Sequence, residues 1–193
     1  MQFKQAGQFI INRLTAELPA HLTYHCVGHT LDVFNAAAEI GRNEGVQAHD
    51  MQLLLTAAWF HDTGFFRGPK DHEEESCRIA AETLPQFGYT AHDIEKINGM
   101  IMATRLPQTP HNHMEQILAD ADLDYLGRDD FYTIGEKLYQ EFTHFGIVHN
   151  DQEWNALQER FLQNHHYFTK TAIKLRQELK QLHLQQVKAK LNS

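Results

Sequence analysis

Two histidines lie at helical spacing near the start of the chain, in the segment "LTYHCVGHTLDV" between Leu22 and Val33. His25 and His29 are four residues apart, and on an α-helix this spacing places both imidazoles on one face. Imidazole side chains bind divalent metals, transfer protons, or simply fill space. Other residues of the chain must decide which of these chemistries applies.

Two further segments carry metal-ligand side chains within apolar surroundings. The first is "AAWFHDTG", in which His61 and Asp62 are adjacent at the end of an apolar run. Burying such a pair is costly unless something compensates it, as a divalent cation does. The second is "ILADADLDYLG", which places Asp120, Asp122 and Asp124 in an otherwise apolar helix. Three like charges there require a counter-charge or contact with water.

The order of a histidine, a His-Asp pair and a later aspartate resembles the HD-domain superfamily of metal-dependent phosphohydrolases, over roughly residues 22–145. The segment "YHCVGHTLDV" is also similar to the motif of cyclic-nucleotide phosphodiesterases. The resemblance implies an all-α fold in which His29, His61, Asp62 and a second aspartate hold a divalent ion. It also implies that His25 is a general acid.

The second aspartate is either Asp122 or Asp120. Asp122 has Leu118 and Leu126 four residues to either side, so it faces the core, and Leu123 follows it as in the "DL" of the phosphodiesterase motif. Asp120 lies about 200 degrees away around the helix, but its own face is also partly apolar. We favour Asp122, and Asp120 remains the alternative.

These residue types suit phosphoryl hydrolysis. Imidazole and carboxylate form a mixed site for a divalent ion, although they do not distinguish Mg, Mn, Fe, Co, Ni and Zn. A bound divalent ion makes water acidic enough to act as hydroxide and takes up charge on phosphoryl oxygens. His25 would then protonate the leaving alkoxide. The expected activity is that of a phosphohydrolase or phosphodiesterase acting on a nucleotide or other small phosphate ester.

Four residues near the motifs are candidates for substrate binding: Arg67, Lys70, His72 and Arg105. His72 opens the acidic segment "HEEESC", and similar HD proteins often carry an acidic "E..S" segment at this place. The chain reads "HDTGFFRGP" where the cyclic-nucleotide branch has a further histidine. A second metal ion is therefore in doubt.

Two other functions remain open. A non-catalytic, metal-binding regulatory protein could keep the HD fold, although such relatives usually lose ligands and this chain retains them. An oxygen-dependent di-iron enzyme would need additional ligands, which only His72 or the Glu73–Glu75 run could supply. Metal content and phosphate release distinguish these possibilities.

Composition excludes several classes of protein. The 193 residues suit a single domain, 1–193, with the motif-bearing core at about 22–145 and a C-terminal helical extension at about 150–193. A net charge of −8 argues against nucleic-acid binding, and no apolar run approaches the ~20 residues of a membrane span. Two cysteines and the lack of a secretory signal at the N-terminus favour the cytoplasm.

Apolar periodicity predicts helices throughout and no strand. The predicted helices cover Phe3–Leu18, Tyr24–Asn43, 51–62, 72–87, 91–106, His113–Leu126, 130–142, 152–168 and a last helix from Lys170. The third is apolar on nearly every side and should lie at the centre of the core. Thr90 and Asp93 predict a capping box for the fifth. In the last helix, Leu175, Leu179 and Leu182 form a stripe that should pack on the same domain or across a homodimer.

Overall fold

A computed structural model describes residues 1–191, which form nine α-helices and three short 3₁₀ helices without a strand, so the all-α prediction is confirmed. The α-helices are α1 Phe3–Glu17, α2 Val27–Asn43, α3 Ala48–Phe60, α4 His72–Thr83, α5 Ala91–Ala103, α6 His113–Asp122, α7 Phe131–His144, α8 Asp151–Asn164 and α9 Lys170–Leu191. The 3₁₀ helices are Thr63–Phe66, Leu84–Phe87 and Asp124–Gly127. None of the helices in residues 1–191 combines the length and apolar character needed to cross a lipid bilayer.

Helix α3 is the central helix, as its apolar sequence predicts. It packs against α1, α2, α5 and α6, and residues on most of its sides, from Leu53 to Ala58, are buried. The helix after the Thr90–Asp93 turn begins with the predicted capping box: Asp93 N donates to Thr90 Oγ1 at 3.2 Å, and Thr90 N donates to Asp93 Oδ2 at 2.9 Å. The main core therefore surrounds the helix that ends just before His61.

Helix α2 begins at Val27, so the prediction that His25 and His29 share a helix face is wrong. The N–H groups of Tyr24 and His25 donate to Glu141 Oε2, at 3.0 and 3.1 Å, and Cys26 N donates to Tyr24 O. A buried carboxylate on a distant helix thus binds two backbone donors and holds this segment outside α2.

The C-terminal helices form a second core with the segment that follows α6. Helix α9 packs on α8 and on Asp124–Gly127, and it also contacts α2. Gly127 permits this approach, since an added Cβ there would lie 2.2 Å from the backbone oxygen of Arg176. The side chains of this core are Tyr24, Leu123, Tyr125, Leu126, Phe131, Leu162, Leu184 and Val187.

The predicted leucine stripe on α9 does not form the buried face. Leu175 and Leu182 are 41% and 46% exposed, and the buried residues are Ala172, Lys180, His183, Leu184 and Val187. Two polar residues can occupy that face because each has a backbone partner. Lys180 Nζ donates to the carbonyl of His165, and His183 Nδ1 donates to the carbonyl of Leu126 at 2.9 Å.

Candidate metal centre and active site

Four side chains from three helix ends meet at one point. His29 lies in the first turn of α2, His61 and Asp62 follow the last residue of α3, and Asp122 is the last residue of α6. His29 Nε2 lies 3.1 Å from Asp122 Oδ1 and 3.3 Å from His61 Nε2. Asp62 Oδ2 lies 3.2 Å from His61 Nε2 and 3.4 Å from His29 Nε2. One ligand atom each from His29, His61 and Asp122 thus lies within 4.8 Å of the others, and Asp62 Oδ2 lies beside both imidazole nitrogens.

The ring of His61 is oriented by a backbone contact. Its Nδ1 lies 2.8 Å from the carbonyl oxygen of Ala58, so Nδ1 carries the proton and donates it. In the neutral ring the other nitrogen, Nε2, presents a lone pair toward the cluster, as metal ligation requires. On the opposite side, the ring of His29 packs against Tyr24, with centroids 4.5 Å apart.

Buried negative charge is the main electrostatic feature of the cluster. Burial opposes ionisation of Asp62, but His61 lowers the pKa of that carboxyl well below its ordinary value. Burial also opposes ionisation of Asp122, yet hydrogen bonding with His29 and His61 lowers its pKa to about 2. Both carboxylates are therefore ionised in a largely buried site.

One oxygen in this cluster lacks a hydrogen bond. Asp62 Oδ2 is buried and has no hydrogen-bond partner. Although burial lowers the pKa of His61, the carboxylates of Asp62 and Asp122 raise it well above its ordinary value, so a proton on His61 would compete with a metal ion for this site. An orphan carboxylate oxygen beside two imidazole nitrogens fits a divalent cation.

The three aspartates of "ADADLD" have separate environments. Only Asp122 reaches the histidines. Asp120 is fully buried and accepts hydrogen bonds from Phe168 N and Thr169 N, both at 2.8 Å. Asp124 is bound by Arg176, whose Nε lies 2.7 Å from Asp124 Oδ1. The geometry thus brings Asp122 to the cluster, whereas Asp120 ties α6 to the start of α9.

His25 lies beside the cluster, on the segment before α2. Its ring centroid is 6.0 Å from that of His29, and its ring stacks on Phe65 at 4.1 Å. His25 Nδ1 is bound to Glu141 Oε1. Burial opposes ionisation of Glu141, but its hydrogen bond with His25 lowers the carboxyl pKa. The other ring nitrogen, Nε2, is left for contact with a ligand.

Glu141 is the residue that sequence reasoning missed. It is 1% exposed and lies on α7 three residues after Leu138. The apolar positions Ile134, Leu138 and Phe145 mark the inward face of α7, and Glu141 occupies that face. A glutamate within an apolar helical stripe was therefore the feature that could have identified Glu141. The sequence does not indicate that its partner is His25.

The four candidate substrate-binding residues divide into two pairs. His72 and Arg105 line the cavity that contains the cluster. His72 Nε2 lies 3.5 Å from Asp62 Oδ1, and Arg105 is bound to Asp71 and Glu74. Arg67 and Lys70 are exposed and are not among the lining residues. Their role in phosphate binding stays a prediction.

A close backbone crossing positions the start of α4 against the cluster. A Cβ added to Gly64 would lie 1.9 Å from the carbonyl oxygen of His72. Gly64 N also donates to the buried hydroxyl of Ser76 at 2.8 Å. The glycine of "HDTG" and the serine of "HEEESC" therefore hold the two segments together. This crossing brings His72 to Asp62.

The cluster opens into a cavity of about 460 Å³. Its polar end contains His25, Asp62, His72, Arg105 and Asp122. Apolar residues from the segment after α6, from α7 and from α8 line the remainder: Leu123, Leu126, Phe131, Leu138, Phe142, Trp154, Leu157, Phe161 and Leu162. A small molecule can thus contact the cluster and the apolar end together.

Solved structures of other proteins share this fold. A predicted HD superfamily hydrolase from an uncultured Thermotogales bacterium superposes with a TM-score of 0.63 and 22% identity, over 96% of this chain and 91% of that one. Bacillus subtilis YpgQ in complex with ADP gives 0.67 and 20%, over 98% and 95%. A Lactobacillus plantarum protein gives 0.66 and 16%, over 100% and 99%. No protein with a curated description matches the chain.

The sequence comparison agrees with the resemblance carried by the motifs. The HD domain family matches residues 27–124, which is half of the chain and includes His29, His61, Asp62 and Asp122. Since the motif order, the all-helical architecture and the family match agree, the chain belongs to the HD domain family.

Proposed function

We propose that this protein is a phosphohydrolase that uses a divalent metal ion to hydrolyse a nucleotide or other small phosphate ester. The observation that carries the proposal is the convergence of two imidazole nitrogens and two ionised carboxylates around the orphan Asp62 Oδ2. His29, His61, Asp62 and Asp122 would hold the ion. The donor set does not select among Mg, Mn, Fe, Co, Ni and Zn.

When bound, such an ion would lower the pKa of water, so that hydroxide is available as the nucleophile near neutral pH, and would take up charge on the phosphoryl oxygens. The side chains around it have complementary tasks. His25 donates through Nδ1 to Glu141, so its Nε2 is the nitrogen that would protonate the leaving oxygen. His72 and Arg105 line the same cavity and would bind phosphoryl oxygens.

The substrate class is supported by the chemistry of the site and by one structural relative. B. subtilis YpgQ was solved with ADP, which shows that a protein of this fold accommodates a nucleotide. At 20% identity the likeness extends to the fold alone. A nucleotide therefore remains one candidate among small phosphate esters. Cytoplasmic location and homodimer formation stay predictions of the sequence.

The first experiment measures metal content and turnover together. Purified protein is analysed for bound metals, stripped, reloaded with single divalent ions and assayed for phosphate release from nucleotides and simple phosphate esters. We expect turnover only with metal. Stoichiometric metal binding without turnover on any ester would instead favour the non-catalytic regulatory function.

The second experiment separates the two histidines. His29→Ala should weaken metal binding, whereas His25→Ala should leave the metal bound and slow turnover, because general acid catalysis contributes roughly 10²–10⁴-fold. The loss for His25→Ala should be smaller with nitrophenyl phosphate, whose leaving group needs no proton. Equal losses with good and poor leaving groups would remove His25 from the role of acid.

A further inference from the structure

We propose that the organic group of the substrate is an apolar alkyl or aryl group that occupies the apolar end of the cavity. We call this end the apolar chamber; its residues are Leu138 and Phe142 of α7 and Trp154, Leu157 and Phe161 of α8. The inference rests on the proposed function and narrows its substrate class. It selects phosphate monoesters of apolar alcohols over nucleotides.

The chamber is continuous with the candidate metal centre. The same cavity is lined by Asp62 and Asp122 at one end and by Trp154 and Leu157 at the other. Its volume of about 460 Å³ lies in the range of small-molecule sites. A phosphate held at the cluster would therefore place the attached organic group in the chamber.

The two helices that form the chamber do not fully bury their facing apolar side chains. Leu138, Phe142, Trp154, Leu157 and Phe161 are all only partly buried. A hydrocarbon group that covers apolar side chains along a cavity removes their surface from water, and this lowers the free energy of the complex. The chamber therefore favours an apolar occupant.

The polar groups available in the chamber are few. Among the described residues of α7 and α8 that line the cavity, the polar side-chain groups are the amide of Gln158 and the indole N–H of Trp154. A ribose and a base would bring several donors and acceptors into this environment. Burying them without partners is costly, so a nucleoside fits the chamber poorly.

The charges at the polar end indicate a single phosphate group. The lining carboxylates are Asp62, Asp71, Glu73 and Asp122, and Arg105 is the one Lys or Arg among the described lining residues. Arg105 is itself bound to Asp71 and Glu74. Besides a divalent ion, the lining groups that could offset phosphate charge are Arg105, His25 and His72, so each phosphate beyond the first would add negative charge beside four carboxylates.

The test measures binding without relying on turnover. Isothermal titration calorimetry is performed on the protein loaded with Mn²⁺, using n-alkylphosphonates from methyl to hexyl, phenylphosphonate, AMP and ADP. Burial of each additional methylene should raise affinity about threefold to fourfold. Affinity that is flat along the alkyl series, no binding of any phosphonate, or tighter binding of AMP or ADP than of hexylphosphonate would each overturn the inference.

Substitutions locate the effect in the chamber. Leu157→Trp fills the chamber and should lower the ratio of hexylphosphonate to methylphosphonate affinity at least tenfold. Leu157→Asn places a smaller, polar side chain in the chamber and should also lower this ratio. It replaces the tryptophan variant in the test if that variant does not fold. The matched control is Leu175→Trp on the exposed side of α9, which should keep the wild-type ratio. A fall of the ratio in the control equal to that in the chamber variants would contradict the location.

The results for phosphate release and for the alkyl series test the proposed function and the chamber separately. Absence of phosphate release from every ester, with the alkyl series of affinities intact, would overturn the hydrolase and leave the chamber as a binding site. Phosphate release from methyl phosphate together with a flat alkyl series would overturn the chamber and leave the hydrolase.

Discussion

Asp120 and Asp122 lie two residues apart at the end of α6 and allow the same chemical change to be made in two environments. Asp122→Asn removes a charge that lies 3.1 Å from His29 Nε2. Asp120→Asn removes a charge that binds the backbone N–H groups of Phe168 and Thr169. If Asp122 is a metal ligand and Asp120 is structural, the two variants should fail in different ways.

The effect of Asp122→Asn should depend on whether metal is present. A ligand at 1,000 times its dissociation constant stabilises the folded state by about 4 kcal/mol. Loss of even an outer-shell partner weakens metal binding by roughly 10–100-fold, and loss of a ligand should reach at least the upper figure. At the same metal concentration the stabilisation would then fall to about 1.4 kcal/mol.

The effect of Asp120→Asn should not depend on metal. An asparagine keeps one acceptor oxygen, so one of the two backbone N–H groups loses its partner, which costs about 1–3 kcal/mol. Burial raises the pKa of Asp120 to about 6, against the hydrogen bonds that lower it, so its carboxylate, although still mainly ionised near neutral pH, is less favoured than that of an ordinary aspartate. We therefore expect a loss near the low end, about 1 kcal/mol.

Urea unfolding near neutral pH, in EDTA and in Mn²⁺, measures both effects. Asp122→Asn should lose most of the gain in stability that wild type shows between EDTA and Mn²⁺. Asp120→Asn should be less stable in EDTA and keep that gain. If Asp120→Asn loses the gain from Mn²⁺ while Asp122→Asn retains it, the choice of Asp122 as the fourth ligand is wrong.

Three further predictions follow from contacts described above. Gly64→Ala should lower stability by about 1–3 kcal/mol and weaken metal binding, because the added methyl overlaps the backbone of His72. Glu141→Gln should leave metal content unchanged and lower kcat/KM roughly tenfold to a hundredfold, since His25 loses a carboxylate that orients it and general acid catalysis contributes about 10²–10⁴-fold. Burial lowers the pKa of Lys180 from 10.5 to about 8. Folding therefore favours the neutral amine. The free energy of unfolding should rise by up to about 3 kcal/mol as the pH increases from about 8 to 10.5. Lys180→Met should flatten that rise.

Each of these predictions has a clear contradicting result. Wild-type melting and metal affinity for Gly64→Ala would mean that the crossing with His72 is not close. Loss of metal from Glu141→Gln would mean that Glu141 acts on the ligands and not on His25. Parallel pH profiles of urea unfolding for wild type and Lys180→Met would mean that the amine of Lys180 is accessible to water.

The sequence predicts those parts of the site that local patterns encode. Adjacent His61 and Asp62 at the end of an apolar helix identify a buried charged pair. The helical periodicity likewise identifies α3 as the central helix. Each of these inferences depends only on neighbouring residues in one element, and the fold keeps that local geometry. The spacing of Asp122 from Leu118 and Leu126 could not separate it from Asp120, because α6 ends at Asp122 and Asp120 is itself fully buried.

The predictions that failed depend on partners distant in the chain. The segment at His25 is held out of α2 by Glu141, 116 residues away. The buried face of α9 contains Lys180 and His183 because backbone carbonyls of His165 and Leu126 accept their hydrogen bonds. Side-chain polarity alone would place both residues at the surface, and no local pattern reveals that such acceptors will be present.

The crossing of Gly64 over His72 gives the intervening segment a particular freedom to vary. Because the backbone of both ends is already in contact, residues 65–71 form a closed loop, and the entropy of closing a longer loop grows slowly with its length. Arg67 and Lys70 are exposed on this loop, while Pro69 lines the cavity. Insertions here would extend the rim of the cavity without separating Asp62 from His72. A longer loop could therefore change which ligands the cavity accepts while the geometry of the cluster stays the same.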